Sequence, residues 1–474
     1  MLMGWYQRHT KETHLFSLAF VVRIVFFLLL WQWFVVLGHM PQSASNFPVN
    51  EGDSLAYHIL SQNLLTHHGY SLSAAPPYVP DSFRLPGYPF FLFALQAIGF
   101  PLVFVICIQM LIGSGTVVLT YLLGRKFLSE KVAYVAALLL CIEPTTVFFS
   151  VFVMSDTLFV FSILCALYFF ISRQENTKKD LPFAFIGGLI LGYAVLVRVI
   201  ALYLPPLFIL AYSMLYRGKL RPITRSVLRH MAFLVGIIIV IAPWSLRNYS
   251  IYRTYDISAT PYVNFTLYNL PLFYAYLHRV PVKDAFALYY AAPFASSSPV
   301  NSLTNKPVFN KLIHDSLQGN VLSYLKFHLV KTLPFFVTDG VRDMNRIVGL
   351  IPIPPDQTNF SDMVLQADVQ GIMKYFISPN PNLWMLLVGS VPWILITFLW
   401  LFELLYVIIK RATAVWFVCF VSLFILYFAL LTGPVTEHRY RMPAAPFMIL
   451  LAVQGALTLR HVARTRMNKV RNNH

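Results

Sequence analysis

The chain has 474 residues, of which 58% are hydrophobic and only 12% are charged. Soluble domains are roughly 45–50% apolar and about 25% charged, and a soluble fold of this length could not bury the surplus. These values exclude an ordinary soluble protein and predict a polytopic membrane protein. The net charge of +17 does not indicate a nucleic-acid partner, because the basic residues stand in short clusters between long apolar runs.

Membrane-spanning helices account for the apolar runs, because each such helix needs about 20 mostly apolar residues. The candidate runs lie near residues 15–38, 100–123, 132–150, 152–171, 182–198, 200–216, 231–246, 384–409, 413–432 and 443–459. Two further stretches, 86–98 and 321–337, are candidates for short or re-entrant segments, and 321–337 is also typical of a helix on the membrane surface. The sequence therefore predicts an all-α bundle of about 10–12 transmembrane helices, in one membrane-embedded domain over residues 1–474.

The connections between the predicted helices differ in charge on the two sides. One side holds more than half of the 36 Lys and Arg residues, in the short segments 1–14, 124–131, 172–181, 216–230, 410–412 and 460–474. The positive-inside rule places these segments, and both termini, in the cytoplasm. The opposite, external side then carries two long loops, at about 39–99 and 247–383, which are rich in Tyr, Asn, Pro and Ser.

The first external loop contains two carboxylates, Glu51 and Asp53, directly before an amphipathic helix predicted over 54–65. An apolar stripe on that helix predicts that it lies along the bilayer surface, which holds the carboxylates at the lipid–water boundary. Asp53 has two interpretations. It is well placed as a helix N-cap, and it is equally suited to act as a reactive carboxylate.

Farther along the same loop, Arg84 precedes two prolines and a glycine that predict a rigid turn. A guanidinium held by such a turn suits a phosphate group, because its planar fork matches the phosphate oxygens. The alternative is that Arg84 extends to a lipid headgroup.

Further polar residues stand at helix ends on the same side. They are Ser155-Asp156, Arg198, the segment Trp244 to Asn248, and the segment Glu437 to Arg441. Charges near membrane depth cost about 2.5–3.5 kcal/mol each, so they are retained mostly where they pair or function. Their convergence predicts a shared polar cavity, with carboxylates suited to act as a base or metal ligand and arginines suited to an anionic headgroup.

In this order the motifs resemble the GT-C superfamily of bacterial membrane glycosyltransferases, in the branch related to protein O-mannosyltransferases and the lipid A aminoarabinose transferase. The resemblance extends from the first predicted helix to the last. The residues that carry it are Asp53 with Tyr57, Arg84 to Pro89, Ser155-Asp156, Arg198, Ala242 to Tyr249, and Glu437 to Pro443.

The resemblance implies an inverting enzyme that moves a hexosyl or pentosyl group from a polyprenyl-phosphate carrier to a lipid, glycan or protein acceptor. The reaction would take place on the external face of a bacterial inner membrane. By position, Asp53 matches the general base. The family often has a second acidic residue beside the first, but here the neighbour is Ser54, so Glu51 is the candidate to share the work.

Asp156 matches a second acidic position, which orients the acceptor or, together with Asp53, a divalent cation. No other cofactor is implied. The residues expected to bind the carrier phosphate and the sugar are Tyr57, Arg84, Tyr88, Arg198, Arg247, Asn248, Glu437, Arg439, Tyr440 and Arg441.

Two alternatives stay open. One is a transporter or flippase of a lipid-linked glycan, which needs polar groups through the full depth of the membrane, whereas here they gather at one face. The other is an oligosaccharide ligase that uses a pyrophosphate carrier. A soluble nucleotide-sugar donor is not indicated, since the sequence has no D-x-D motif and no Gly-rich phosphate loop.

Overall fold

The computed structural model describes residues 10–39, 47–172, 180–215, 223–295, 299–338, 340–349, 369–370, 373, 383–411, 415–435 and 437–472. Over these residues the chain is helical and contains no β-strand. One isolated antiparallel bridge joins Ser71 and Pro80 in the first long loop. The predicted all-α membrane fold is confirmed.

The helices of the membrane bundle follow one another along most of the chain. They are α1 (Thr10–Trp31), α2 (Asp53–Leu65), α3 (Gly87–Ala97), α4 (Leu102–Gly124), α5 (Glu130–Cys141), α6 (Pro144–Phe149), α7 (Asp156–Ile171), α8 (Asp180–Val197), α9 (Pro205–Leu215) and α10 (Ile223–Tyr252). A set of shorter helices comes next: α11 (Thr260–Val263), α12 (Leu270–His278), α13 (Val282–Tyr290), α14 (Lys306–Leu317), α15 (Val321–Thr332), α16 (Pro334–Val337) and α17 (Val341–Val348). The bundle closes with α18 (Leu383–Lys410), α19 (Val415–Thr432) and α20 (Ala445–Asn472).

Seven helices among the described residues are long and apolar enough to cross a membrane. They lie at Thr10–Val36, Leu102–Gly124, Asp180–Val197, Ser226–Tyr252, Gly389–Lys410, Val415–Thr432 and Ala445–Asn468. Two shorter apolar helices lie at Asp156–Ile171 and Pro205–Met214. The protein is therefore an integral, multi-pass membrane protein.

The predicted run at 132–150 is not one continuous helix. It consists of α5 and α6, because Glu143 turns its carboxylate back onto the amide groups of Thr145 and Thr146, at 3.1 and 2.7 Å, and so begins a new helix at Pro144. The run at 200–216 is likewise divided, since a short 3₁₀ turn over Val199–Tyr203 precedes α9. Proline fits the first turn of a helix, which explains where both second helices begin.

Helices α8 and α10 pack closely because glycines line their contact. A Cβ atom on Gly188 would lie 2.1 Å from the carbonyl oxygen of Phe233, and one on Gly236 would lie 2.5 Å from the carbonyl oxygen of Phe185. Small residues allow helix backbones to approach in this way in membrane proteins. The close contact holds α8 against the middle of α10.

The described part of the second long loop forms a helical cap, made of α11 to α15, with its own hydrophobic core. That core includes Val263, Leu267, Phe273 and Phe327, and the first long loop contributes Phe83 to it. Helix α15 exposes an apolar stripe that includes Leu322, Leu325 and Leu329, as expected of a helix on the membrane surface. The residues from 350 to 382 fall almost entirely outside the described residues, and the single-domain division stays a prediction.

Candidate active site

Asp53 does not cap its helix. The cap position belongs to Gly52, whose φ of 68° lies in the left-handed region that favours glycine, and no side chain caps the helix there. Asp53 is the first residue of α2, and its carboxylate contacts arginines instead of capping the helix. The N-cap interpretation of Asp53 is therefore wrong.

The carboxylate of Asp53 lies between two arginines from distant parts of the chain. Its Oδ1 atom is 2.7 Å from Nη2 of Arg84, and its Oδ2 atom accepts a hydrogen bond of 2.9 Å from Nη1 of Arg439. The side chains of Asp53, Arg84 and Arg439 are 23%, 20% and 14% exposed. Arg439 also forms an ion pair with Glu437 through Nε. Both oxygens of the candidate base are thus occupied by guanidinium groups.

These charges set the protonation state of the site. Burial alone would raise the pKa of Asp53, but the charges of Arg439, Arg84 and Arg198 outweigh it and hold that pKa below its ordinary value. Burial opposes the charge of Arg439, yet Tyr440, Glu437 and the two aspartates raise its pKa well above the ordinary value. At neutral pH the site therefore contains an ionised carboxylate and an ionised guanidinium in contact.

A second ion pair lies beside the first. Arg198 places Nη2 2.7 Å from Oδ2 of Asp156, whose side chain is 2% exposed. The Nε atom of Arg198 donates to the hydroxyl of Ser155 at 3.2 Å, and that hydroxyl lies 3.3 Å from the hydroxyl of Tyr57. Because Tyr57 is one turn after Asp53 on α2, Ser155 links the two ion pairs.

The six charged residues of these two groups of ion pairs are called the charge cluster below: Asp53, Arg84, Asp156, Arg198, Glu437 and Arg439. Tyr440 lies between the two groups, since the guanidinium carbons of Arg198 and Arg439 are 5.9 and 5.3 Å from the centre of its ring. The cluster contains three carboxylates and three guanidiniums, so it is neutral overall.

The turn that carries Arg84 is held from both sides. The amide of Arg84 donates to the carboxylate of Asp81 at 2.7 Å, and the hydroxyl of Tyr70 donates to the carbonyl of Arg84 at 3.0 Å. Burial raises the pKa of Asp81 to about 6. These bonds fix the backbone of the turn, so the Arg84 side chain starts from a defined point.

The helical cap and helix α8 fix the same turn. The hydroxyls of Ser258 and Thr260 donate to the carbonyl of Phe83, at 2.7 and 2.6 Å. On the other side, a Cβ atom on Gly87 would lie 2.7 Å from backbone atoms of Leu196 and Val197. Only glycine permits this approach, which brings the Arg84 turn to the end of α8, where Arg198 stands.

Arg247 and Asn248 do not join the charge cluster. Arg247 donates to the carbonyl of Asp81 at 2.9 Å and to the Asn248 side chain at 2.8 Å, and its guanidinium lies 4.5 Å from the ring of Trp244. Asn248 is fully buried and donates to the carbonyls of residues 256 and 257, at 2.8 and 3.0 Å. Both residues tie the end of α10 to the two long loops.

Three other predicted site residues also lie apart from the cluster. Arg441 is 1% exposed, and it donates to the carbonyls of residues 335 and 338, at 2.9 and 2.7 Å. The ring of Tyr88 is fully buried, and its hydroxyl donates to Gln109 at 2.7 Å. Glu51 is exposed, and the described residues offer it no hydrogen bond or ion pair. Tyr88 still contacts a residue beside the cluster, because its ring packs edge-on against that of Tyr57, 5.1 Å away.

Sequence reasoning did not identify the residues that hold the site in place. Ser155 was visible beside Asp156, but nothing in the sequence showed that its hydroxyl would bridge Tyr57 and Arg198. Gln109 was visible as a lone amide in an apolar run, and it donates to the carbonyls of residues 149, 150 and 152. Polar residues inside membrane-spanning helices are rare, so a lone polar residue such as Gln109 was the sequence signal for a structural role.

The residues of the cluster do not fit a divalent cation in the observed arrangement. Asp53 and Asp156, the candidate metal ligands, each contact guanidinium groups. Within the described ranges, no three His, Cys, Asp or Glu side chains come together as metal ligands. A cation at this site would have to displace arginines.

Comparisons with known proteins agree with this architecture. Residues 80–246 match the family model described as dolichyl-phosphate-mannose-protein mannosyltransferase. A structure of the archaeal oligosaccharyltransferase AglB from Archaeoglobus fulgidus, in complex with an inhibitory peptide and a dolichol-phosphate, superposes with a TM-score of 0.52 at 13% identity. A second structure of the A. fulgidus oligosaccharyltransferase, tethered to an acceptor peptide, gives a TM-score of 0.51 at 14% identity.

Each of these comparisons covers 98% of this chain and 52% of the archaeal chain, so this chain spans about half the length of the oligosaccharyltransferase. ArnT from Cupriavidus metallidurans, in the apo state, matches with a TM-score of 0.36 at 12% identity, over 92% of this chain and 76% of that chain. No curated protein sequence matches the chain.

The family match and the shared fold confirm the predicted resemblance. The chain has the fold of the GT-C membrane glycosyltransferases, and residues 80–246 match the family model of the protein mannosyltransferases. The matched segment contains Arg84, Asp156 and Arg198, whereas Asp53 and Arg439 lie outside it.

Arg247 should stabilise the fold. Replacing it with alanine removes a charged donor from the carbonyl of Asp81, a type of bond that contributes about 1.5–3 kcal/mol. We expect Arg247→Ala to lower the thermal unfolding midpoint of the detergent-solubilised protein, measured by size-exclusion chromatography after heating. The matched control is Arg464→Ala, which removes an exposed arginine from the end of α20. An equal midpoint for both variants would contradict the structural role.

Proposed function

We propose that the protein is an inverting glycosyltransferase that moves a sugar from a polyprenyl-monophosphate carrier to an acceptor hydroxyl. The observation that carries this proposal is the position of the Asp53 carboxylate between the guanidiniums of Arg84 and Arg439. A base and two phosphate-binding groups are thereby brought to one point at the external ends of the helices.

The chemistry of sugar transfer uses both parts of this arrangement. The acceptor oxygen forms a bond to the anomeric carbon while the bond between that carbon and the phosphate oxygen breaks, and Asp53 takes the acceptor proton. The carrier phosphate has one negative charge as a diester and gains a second as it leaves. Arginines placed at the phosphate stabilise that developing charge, so Arg84 and Arg439 favour the transition state over the bound donor.

The second ion pair, between Asp156 and Arg198, holds a further cation beside Asp53, Arg84 and Arg439. Asp156 fixes one side of Arg198, and Ser155 fixes Nε. In this proposal Arg198 is a third cation for the phosphate or the sugar, and Asp156 is its positioning residue. Tyr57 connects this pair to α2 through Ser155, so a movement of Asp53 would also displace Arg198.

The available positive charge favours a monophosphate carrier over a pyrophosphate carrier. Each arginine of the cluster already has a carboxylate partner, and Arg247 and Arg441 are engaged with backbone carbonyls. A pyrophosphate would bring more negative charge than the cluster can match without a cation. The archaeal oligosaccharyltransferase structure contains a dolichol-phosphate, which is a lipid with one phosphate. This comparison supports the same class of carrier here.

We further propose that the protein lies in a bacterial inner membrane with both termini in the cytoplasm and the charge cluster outside. The basic connections on the opposite side of the bundle support this orientation. An alkaline phosphatase reporter fused after Asn269 should be active, because it would be external, whereas a fluorescent protein fused after His474 should be fluorescent. An inactive phosphatase fusion would overturn the external site.

Asp53→Asn should abolish most of the transfer activity. A positioned base contributes about 10²–10⁴-fold to the rate, so we expect a loss in that range for release of polyprenyl phosphate by the purified full-length protein. The assay uses a panel of polyprenyl-monophosphate sugars with envelope acceptors. Asp315→Asn, an exposed aspartate of the helical cap, is the matched control and should act like the wild type.

Three results would contradict this function. Equal release by Asp53→Asn and the wild type would exclude Asp53 as the base. A lack of turnover with every carrier, combined with scrambling of glycolipids in vesicles, would indicate the flippase instead. Retention of configuration at the anomeric carbon, measured by NMR on the product, would exclude the inverting mechanism.

A further inference from the structure

We propose that Asp53 occupies the donor's phosphate site when no donor is bound, and that the carrier phosphate releases Asp53 by taking over Arg84 and Arg439. This inference rests on the proposed function and adds an order of events to it. The carboxylate would become available as a base only after the donor has arrived.

The first support is that both oxygens of the Asp53 carboxylate are held by guanidinium groups. One oxygen contacts Arg84 at 2.7 Å and the other contacts Arg439 at 2.9 Å. Each oxygen can still accept one further hydrogen bond, but two charged donors stabilise the ionised form and make the carboxylate a weaker base. The arrangement seen here therefore suits a resting state better than proton transfer.

The second support is the geometry of an inverting displacement. The attacking oxygen and the leaving phosphate lie on opposite sides of the anomeric carbon, so the base and the phosphate-binding groups must be separated by the sugar. In inverting glycosidases, the two working carboxyl groups stand about 6.5–9.5 Å apart for a comparable reason. Asp53 cannot keep its contacts of 2.7 and 2.9 Å with both arginines while a sugar lies between them.

The third support is that the arginines have means to change partners. The Nε atom of Arg84 is buried and has no hydrogen-bond partner among the described residues. Arg439 already divides its guanidinium between Asp53 and Glu437, whose side chain is 44% exposed. Both arginines can therefore turn toward a phosphate without leaving the site.

The balance of charge favours the exchange as the reaction proceeds. Asp53 begins with one negative charge and becomes neutral when it accepts the acceptor proton. The phosphate begins with one negative charge and leaves with two, since a phosphate monoester is largely a dianion at neutral pH. The attraction of the arginines thus shifts from Asp53 to the phosphate. When Asp53 loses its proton to water, it competes for the arginines again and helps to release the polyprenyl phosphate.

The proposed exchange predicts an effect on binding that is not expected if Asp53 acts only as a base. Removing the charge of Asp53 should tighten the binding of lipid phosphate, because the arginines lose their competing anion. We expect Asp53→Asn in the purified full-length protein to bind farnesyl phosphate at least about tenfold more tightly than the wild type, since close charge pairs couple this strongly. Binding is measured by isothermal titration calorimetry in detergent, and farnesol serves as the uncharged probe.

The controls separate this effect from a general change of charge. Glu51→Gln removes the same charge two residues away, and Glu51 has no arginine contact in the described structure, so it should change the affinity little. The double variant Asp53→Asn/Arg439→Gln should lose the gain. If Asp53→Asn misfolds, as judged by its elution profile, Asp53→Ser provides the same loss of charge and the same expected gain.

Equal or weaker binding of farnesyl phosphate by folded Asp53→Asn would overturn the proposal, as would an equal gain in Glu51→Gln. This outcome is distinct from failure of the proposed function, which is judged by turnover of the wild type with a sugar-bearing carrier. Tighter binding without any turnover would retain the exchange and reject the transferase. Turnover without tighter binding would retain the transferase and reject the exchange.

Discussion

The ion pair between Asp53 and the two arginines is the interaction on which the site depends. It joins the start of α2, the turn before α3 and the segment before α20, which are far apart in the sequence. Partly buried charges are costly unless they are paired, and here each guanidinium of the cluster has a carboxylate. The pairing makes these charged side chains tolerable in a partly buried site, and under the proposed function it does so while no phosphate is bound.

The surrounding fold gives these charges defined positions. The glycine contact between α3 and the end of α8 brings the Arg84 turn to Arg198, and bonds from the helical cap hold the same turn from outside. Arg247 and Arg441 support the scaffold by bonding to backbone carbonyls. Under the proposed function, the membrane bundle would hold the site where the phosphate of a lipid carrier can reach it.

The sequence predicted the features that depend on local composition. Long apolar runs predict membrane-spanning helices, and the order of motifs correctly predicted the GT-C fold. The structure brings Asp53, Arg84, Asp156, Arg198 and Arg439 together, while their roles stay a prediction. The sequence could not separate those arginines from Arg247 and Arg441, which have the same chemistry and the same expected depth. Their difference arises only from tertiary contacts with backbone carbonyls. The cap interpretation of Asp53 failed for a local reason, since Gly52 adopts a positive φ and takes the cap position itself.

The account is tested most directly by a structure of the protein with a bound polyprenyl monophosphate, determined by electron cryomicroscopy in a lipid nanodisc. We expect the phosphate between Arg84 and Arg439, with the carboxylate of Asp53 withdrawn from at least one of them and the lipid chain directed into the bilayer. A phosphate bound at Arg247, or at the basic cluster of Arg125 and Lys126 on the opposite side, would contradict the account. So would a phosphate that leaves both contacts of Asp53 intact.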